Sequence, residues 1–256
     1  SKEISGDKVF ELYDTFGFPV DLTALILSEK GFTLDEKGFK DELQKQKNRS
    51  KAASEMSTED WTLLVSDAKE EFVGYDTLST DVKLTRYRKV VSKKEGEMFQ
   101  LVFDATPFYP EGGGQIGDKG SLVDPQGNQI AILDTKKENN VIIHFTKKLP
   151  KEVNASFSAQ VDKKLRDQTA CNHTATHLLH EALREVLGVH VAQKGSAVNA
   201  NYLRFDFSHF SKVTVEELTT VEAYVNAKIA MKLPLEESRN VSMEKARSHV
   251  LNKIRN

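Results

Sequence analysis

The sequence predicts an α+β fold in three parts: a helical segment over 1–66, a small antiparallel β-barrel over 67–155, and a mixed α/β subdomain over 156–256. Three observations lead to this prediction. Apolar residues recur at helical spacing in the first part, short β-branched and aromatic runs alternate with turns in the second, and helical patterns flank strand-like runs in the third. A chain of 256 residues can hold one large domain or two to three small ones.

The first part is predicted to form three helices. Gly17-Phe18-Pro19 interrupts the first helical pattern, because a residue before proline avoids the helical conformation. The second helix is predicted over 21–30 with Gly31 as its stop, since glycine readily adopts the left-handed conformation that ends a helix. The third is predicted over 35–55.

The third of these helices is strongly polar and carries a basic group that includes Lys45, Lys47 and Arg49. Such a group suits a solvated helix face. It equally suits a patch that faces RNA phosphates, because phosphate contacts depend on where basic side chains cluster. The net charge of −2 gives no bulk support for nucleic-acid binding.

The middle part contains short runs typical of antiparallel strands in a small barrel or sandwich, separated by turns such as Asp124-Pro125-Gln126-Gly127. The predicted strands cover 72–75, 82–91, 98–103, 129–133 and 141–145. The predicted elements of the last part are a helix over 163–187, strand-like runs over 189–192 and 202–207, and a helix over 214–231.

Composition limits the compartment and the partners. A single cysteine, Cys171, excludes an internal disulfide framework, so we expect a reducing cytoplasm. No window approaches the roughly 18 continuous apolar residues of a membrane span, and the N-terminus lacks the apolar core of a signal peptide. We therefore expect no membrane partner.

His173 and His177 are the most informative candidates for chemistry. Residues four apart lie on one face of a helix, so both imidazoles are predicted to project from the same side, away from the apolar stripe of the helix. Two imidazoles at this separation can bind one zinc ion. Paired histidines on a polar face are also often merely solvated, and no glutamate follows the first histidine as it does in zinc proteases.

A glycine-rich run provides the second candidate, formed by Gly112, Gly113, Gly114 and Gln115. Three consecutive glycines require positive φ or a close backbone approach. This fits a corner of the barrel. It also fits a loop whose bare backbone lies against a ligand or the RNA terminus, with Gln115 as a hydrogen-bonding side chain.

Gln193 is the third candidate. It lies between a run of alternating apolar residues and the turn Gly195-Ser196, a position from which a strand-end amide can enter a pocket. The run 203–209 then alternates apolar and polar residues, as a half-buried strand does.

The order of these motifs is more specific than any one of them. The runs His173 to Leu179, Gly188 to Ser196 and Leu203 to His209 closely resemble the editing domain of alanyl-tRNA synthetases. Upstream, Phe108 to Asp118 is similar to the glycine-rich barrel motif of the same family, and Leu12 to Thr23 to the end of its helical tRNA-recognition domain. The resemblance extends to about Ala246.

The resemblance implies that ATP and Mg²⁺ belong to an aminoacylation domain N-terminal to this segment. The segment itself is expected to hydrolyse tRNA(Ala) mischarged with serine or glycine. An alanine pocket cannot exclude glycine by size and rejects serine only modestly. By motif match, Thr176, Gln193 and His177 are the expected catalytic residues, and His173 and His177 are the expected Zn²⁺ ligands.

One departure from the family concerns the zinc site. The family completes it with a downstream Cys-x-x-x-His pair, which does not occur before Asn256. Zinc takes three or four protein ligands, and only two are present. We therefore expect a segment truncated at its C-terminus, which binds zinc weakly or not at all and deacylates poorly.

Three alternatives remain open from the sequence. A free-standing trans-editing protein would not need the run 13–23. A domain of the threonyl-tRNA synthetase type fits the runs 112–118 and 203–209 less well. A non-catalytic tRNA-binding module is favoured by the missing ligands and disfavoured by the presence of Thr176 and Gln193.

Overall fold

The computed structural model describes residues 3–53, 56–66, 68–93, 95–232, 234 and 241–242, with all of their side chains except those of 47–53 and 56. The helices are α1 Gly6–Phe16, α2 Val20–Glu29, α3 Glu36–Ala53, α4 Lys163–Leu187 and α5 Val215–Ala230. The strands are β1 Glu3–Ile4, β2 Thr33–Leu34, β3 Met56–Thr58, β4 Thr62–Leu63, β5 Glu71–Phe72, β6 Ser79–Ser92, β7 Gly96–Phe103, β8 Ala105–Thr106, β9 Gly120–Val123, β10 Gln129–Ile132, β11 Asp134–Glu138, β12 Val141–Thr146, β13 Ser156–Val161, β14 Gln193–Val198 and β15 Leu203–Phe207. This content confirms the predicted α+β class.

The N-terminal helices pack through a small aromatic core. Phe10 of α1 and Phe39 of α3 are buried, and their ring centroids lie 6.3 Å apart. Gly17 ends α1 in the left-handed conformation with φ 65°, which confirms the predicted break before α2. A Cβ at Gly6 would collide with the backbone of Phe39, so glycine allows α1 and α3 to approach closely.

In the described part of the chain, nine strands form one antiparallel sheet in the order β10-β9-β13-β6-β7-β12-β11, with β3 and β4 also paired to β6. Among the described strands this path does not close on itself, so the small antiparallel barrel expected from the sequence is present only as an open sheet. The two end strands, β10 and β11, are successive segments separated by Leu133, whose N–H donates to the carbonyl oxygen of Phe145 at 2.8 Å. The sheet therefore curls until its ends adjoin, and Phe108, Leu122 and Phe157 are buried inside the curl.

The C-terminal elements place α4 beside α5 and the hairpin of β14 and β15, around a core that includes Leu183, Val191 and Val221. The side chain of Asp162 accepts a hydrogen bond from the N–H of Leu165 at 3.0 Å and caps α4. No helix in the described residues has the length and apolar character needed to cross a membrane.

Two strand predictions are wrong. Residues 189–190 form a turn that the N–H of Val191 closes by donating to the carbonyl of Gly188, residues 191–192 are irregular, and the strand begins only at Gln193. The apolar alternation there serves the core, because Val191 is fully buried. Of the predicted strand 72–75, only Phe72 belongs to a strand.

Candidate active site

The two histidines of α4 form a stacked pair. The ring centroids of His173 and His177 lie 5.2 Å apart with an interplanar angle of 16°. His173 is half-buried and His177 is exposed. Burial lowers the pKa of His173, and the neighbouring His177 lowers it further because two positive rings would repel each other. The pair therefore offers one anchored ring and one ring that a ligand can reach.

Gln115 anchors His173. Its Oε1 lies 2.7 Å from His173 Nδ1, although the two residues are 58 positions apart in the sequence. The Gln115 side chain is buried, so its carbonyl is held at this place. Because a carbonyl oxygen only accepts, Nδ1 carries the proton, and Nε2 of the neutral ring keeps a lone pair.

The glycine-rich run forms a tight turn against β14. Gly112 and Gln115 exchange two backbone hydrogen bonds of 3.0 Å, and Gly113 and Gly114 between them have φ of 60° and 82°. A Cβ at Gly114 would collide with Ser196 of β14. The close backbone approach predicted for these glycines is therefore, in part, a contact with β14. The turn also positions Gln115 next to His173 on α4.

The two residues expected to recognise the amino acid lie on different elements. Thr176 is buried on α4, and its hydroxyl donates to the carbonyl oxygen of Asn172 at 2.8 Å. Gln193 is exposed at the start of β14, and its amide donates to Ser196 Oγ at 3.2 Å. Within the described residues no hydrogen bond joins Thr176 to Gln193, so their joint role stays a prediction.

A buried ion pair that the sequence did not predict fixes α4 on the sheet. Arg166 Nε donates to both carboxylate oxygens of Asp118 at 3.0 and 2.8 Å. The same guanidinium donates to the carbonyl oxygens of Gly74 and Pro107 at 2.8 and 3.0 Å. Asp118 is the last residue of the glycine-rich motif, and a buried carboxylate needs a cationic partner, but the sequence does not identify which one.

The basic group on α3 lies partly outside the described side chains. Lys45 pairs with Glu42 at 2.6 Å on the exposed surface of the helix. The side chains of Lys47 and Arg49 are among those that the structure does not describe. The phosphate-facing patch therefore stays a prediction.

The histidine pair by itself does not complete a zinc site. Zinc is held by three or four protein ligands. Among the described residues, no group of three or more His, Cys, Asp and Glu side chains is placed to hold a metal ion. The possible metal ligands in this part of the chain are therefore the two imidazoles of His173 and His177. His173 also makes a hydrogen bond through its other ring nitrogen, as metal-bound histidines usually do.

Comparison with known proteins identifies the family. A family model described as tRNA synthetases class II (A) matches residues 1–165. The chain belongs to this family. It is 63% identical over 245 residues to the alanine–tRNA ligase of Christiangramia forsetii, 59% over 253 residues to that of Flavobacterium psychrophilum, and 54% over 245 residues to that of Bacteroides fragilis.

Each of these alignments covers 96% of this chain and 28% of the relative. The resemblance to alanyl-tRNA synthetases predicted from the motifs is confirmed. The chain spans about 28% of the length of these curated relatives.

Proposed function

We propose that this segment hydrolyses the ester of tRNA(Ala) mischarged with serine or glycine, as the editing part of a cytoplasmic alanine–tRNA ligase. The observation that carries the proposal is the hydrogen bond from His173 to Gln115 at 2.7 Å. It joins the glycine-rich turn to the histidine pair, and the N–H of Val198 on β14 donates to the Gly114 carbonyl of the same turn at 2.7 Å. Alanine attachment with ATP and Mg²⁺ is proposed for the whole ligase and not for this segment.

The reaction needs a group that moves one proton. Water adds to the ester carbonyl carbon, the bond to the ribose oxygen breaks, and that oxygen takes up a proton. A neutral imidazole can accept the proton from water and return it to the leaving oxygen. His177 is exposed to solvent, where a substrate could reach its ring, and His173 is held beside it by Gln115.

Thr176 and Gln193 are proposed to select the amino acid. A site that hydrogen-bonds the serine hydroxyl discriminates against alanine, because alanine would leave those polar groups unpaired. Thr176 directly precedes His177 on α4, and the exposed Gln193 amide has a weak partner that substrate can replace, at 3.2 Å.

Zinc binding is proposed to be weak or absent in this chain. Two imidazoles are fewer donors than a zinc site requires. The test is elemental analysis after dialysis against a mild chelator. Less than one zinc per ten chains is the expected result, and one retained zinc per chain would contradict the proposal.

The enzyme proposal is tested with seryl-tRNA(Ala) as substrate. Ester loss above the buffer rate is expected, and His177→Ala is expected to lower it about 100-fold, the scale of a lost acid–base group. His209→Ala is the matched control, because His209 pairs with His190 outside the proposed site. Equal loss in both variants, or no effect of either, would contradict the assignment of His177.

A second candidate function is a tRNA-binding module without chemistry. The incomplete set of metal donors favours it. Binding of tRNA(Ala) by the wild-type chain without ester loss, both with and without added zinc, would establish this alternative.

A further inference from the structure

The helical part, residues 3–53, has a core separate from that of the subdomain which carries the histidine pair. Phe10 and Phe39 belong to the core of the helical part, and the apolar side chains packed against it come from residues 4–43. The core around Leu183 and Val221 draws on residues 179–225. Since neither core extends into the other part in the described residues, contacts nearer the surface determine how the two parts meet.

The two parts meet across a cleft of about 310 Å³. One wall comes from Pro19 and the first turns of α2, and the other comes from the turn before β14 and the segment that follows β15. In the second wall, the N–H of Ser208 donates to the carbonyl oxygen of Ala192 at 3.2 Å. The wall that faces α2 is therefore fastened to the residue directly before Gln193.

An ion pair joins the two parts at this cleft. Lys194 Nζ lies 2.7 Å from Asp21 Oδ2, although 173 positions separate the two residues in the sequence. Asp21 lies in the first turn of α2, where the helix dipole favours a negative charge. The hydrogen bond from Lys194 is the main cause that lowers the pKa of Asp21, so its carboxylate is charged at physiological pH.

A β-bulge places Lys194 at this contact. In the register of the hairpin, Gln193 pairs with Phe207 and Gly195 pairs with Asp206, so Lys194 is an extra residue without an opposite number on β15. A bulge re-aims the side chains around it and often lies beside a functional site. A Cβ at Gly195 would lie 2.9 Å from the Asp206 carboxylate, so glycine lets the strand return to β15 directly after the bulge.

Gln193 and Lys194 are neighbours that contact different parts of the molecule. The Gln193 amide donates to Ser196 Oγ at 3.2 Å, and Ser196 lies against Gly114 of the glycine-rich turn. Lys194 contacts Asp21 on α2. A shift of the helical part would therefore pull on Lys194 and move the backbone that carries Gln193.

The exposure of the ion pair limits the size of its effect. The side chains of Lys194 and Asp21 are 45% and 53% exposed. A pair this open to solvent contributes little to the stability of the fold, and its preference for one arrangement of the two parts is about fivefold at most. Such a preference is too small to hold the fold together, but it is large enough to bias the position of a selecting side chain.

We propose that the Asp21–Lys194 ion pair is a positioning contact, through which the helical part holds Gln193 in reach of the amino acid to be edited. The inference rests on the proposed function, in which Gln193 helps to select serine. With the ion pair formed, the start of β14 has one position and the Gln193 amide meets the serine hydroxyl. Without the ion pair, the site loses part of its preference for serine over alanine, while the histidine pair is untouched.

The test is single-turnover hydrolysis of seryl-tRNA(Ala) and alanyl-tRNA(Ala) by the whole chain, and its readout is the ratio of the two rates. Lys194→Ala and Asp21→Asn are each expected to lower this ratio about threefold to fivefold, and the double variant is expected to lower it no further. Lys194→Arg, which keeps the ion pair, is expected to stay within about twofold of the wild type. Lys89→Ala, which removes a similar exposed pair with Glu97 on the sheet, is the control.

The outcomes separate this proposal from the proposed function. If the wild type prefers the seryl ester and either Lys194→Ala or Asp21→Asn keeps the wild-type ratio, the positioning role is overturned and the proposed function stands. A larger loss in the double variant than in either single variant also overturns it, because the two residues would then act independently. If the wild-type chain hydrolyses neither ester, or both equally, both proposals are overturned. Equal losses in the three variants, with retention in Lys194→Arg and Lys89→Ala, support the ion pair.

Discussion

His144 and the pair on α4 show two different uses of histidine in one chain. His144 is fully buried in β12, with Nε2 2.7 Å from Thr106 Oγ1 and Nδ1 3.1 Å from the carbonyl oxygen of Leu101. Of the pair, His177 is exposed, and within the described residues His173 has a hydrogen bond to another side chain, that of Gln115, whereas His177 has none.

The difference lies in which ring atoms remain accessible. Both nitrogens of His144 are occupied, so its ring can only support the fold. Burial lowers the pKa of His144 from its ordinary 6.5 to about 4, which keeps it neutral at physiological pH. The pair on α4 keeps nitrogen atoms that a ligand can reach, and this distinguishes a candidate for chemistry from a structural residue.

The largest expected effect is on stability. His144→Ala should lower the free energy of unfolding by about 4 kcal/mol, because it leaves a cavity among Phe103 and Phe108 and an unpaired Thr106 hydroxyl. His177→Ala should change it by less than about 0.5 kcal/mol. Urea unfolding of both variants measures the difference, and similar losses would remove the distinction between the two histidine sites.

Acid should act through the same buried ring. Folding lowers the pKa of His144, so the unfolded chain takes up a proton at a higher pH than the folded protein does. The contribution of His144 to the free energy of unfolding is therefore fully present above pH 6.5 and is lost as the pH falls towards 4. The loss should reach about 3 kcal/mol near pH 4. Urea unfolding of the wild type and of His144→Gln over this range measures it. A loss of the same size in the variant would contradict the assignment to His144.

A smaller effect is expected at the contact that anchors the pair. Gln115→Leu removes the acceptor for His173 Nδ1–H and should slow hydrolysis of seryl-tRNA(Ala) about tenfold. Gln115→Glu keeps an acceptor and should retain most of the rate. Gln126→Leu, in the exposed turn after β9, is the control. A rate for Gln115→Glu as low as that for Gln115→Leu would mean that Gln115 supports packing rather than the ring.

The smallest effect is expected on α3. Lys45→Ala should change stability by less than about 0.5 kcal/mol, because its ion pair with Glu42 is exposed. If Lys45, Lys47 and Arg49 face phosphates, replacing all three with alanine should weaken tRNA(Ala) binding and flatten its salt dependence. An unchanged salt dependence would remove this patch from the RNA interface.

Regular elements with strong local signals were predictable from the sequence. The bounds of α4 agree with its predicted range of 163–187, because Asp162 caps its start and Gly188 follows its end. The strand β11 was missed because Asp134–Glu138 is largely polar, and its strand conformation comes from pairing with β12. The open path of the sheet also depends on pairings between distant strands.

The candidate site was predictable as a set of motifs but not as an assembly. The spacing of His173 and His177 predicted a shared helix face, and the stacked rings agree with it. The contact of Gln115 with His173 joins residues 58 positions apart, which no local pattern encodes. The partner of Asp118, Arg166, likewise emerges only once α4 packs on the sheet.

Single-turnover hydrolysis of seryl-tRNA(Ala) and alanyl-tRNA(Ala) by the same chain tests the proposed editing activity most directly. We predict that the seryl ester is lost at least about tenfold faster than the alanyl ester, since only serine offers a hydroxyl to the site. Equal rates for the two esters, or no loss of either above the buffer rate, would contradict the proposal that this segment edits.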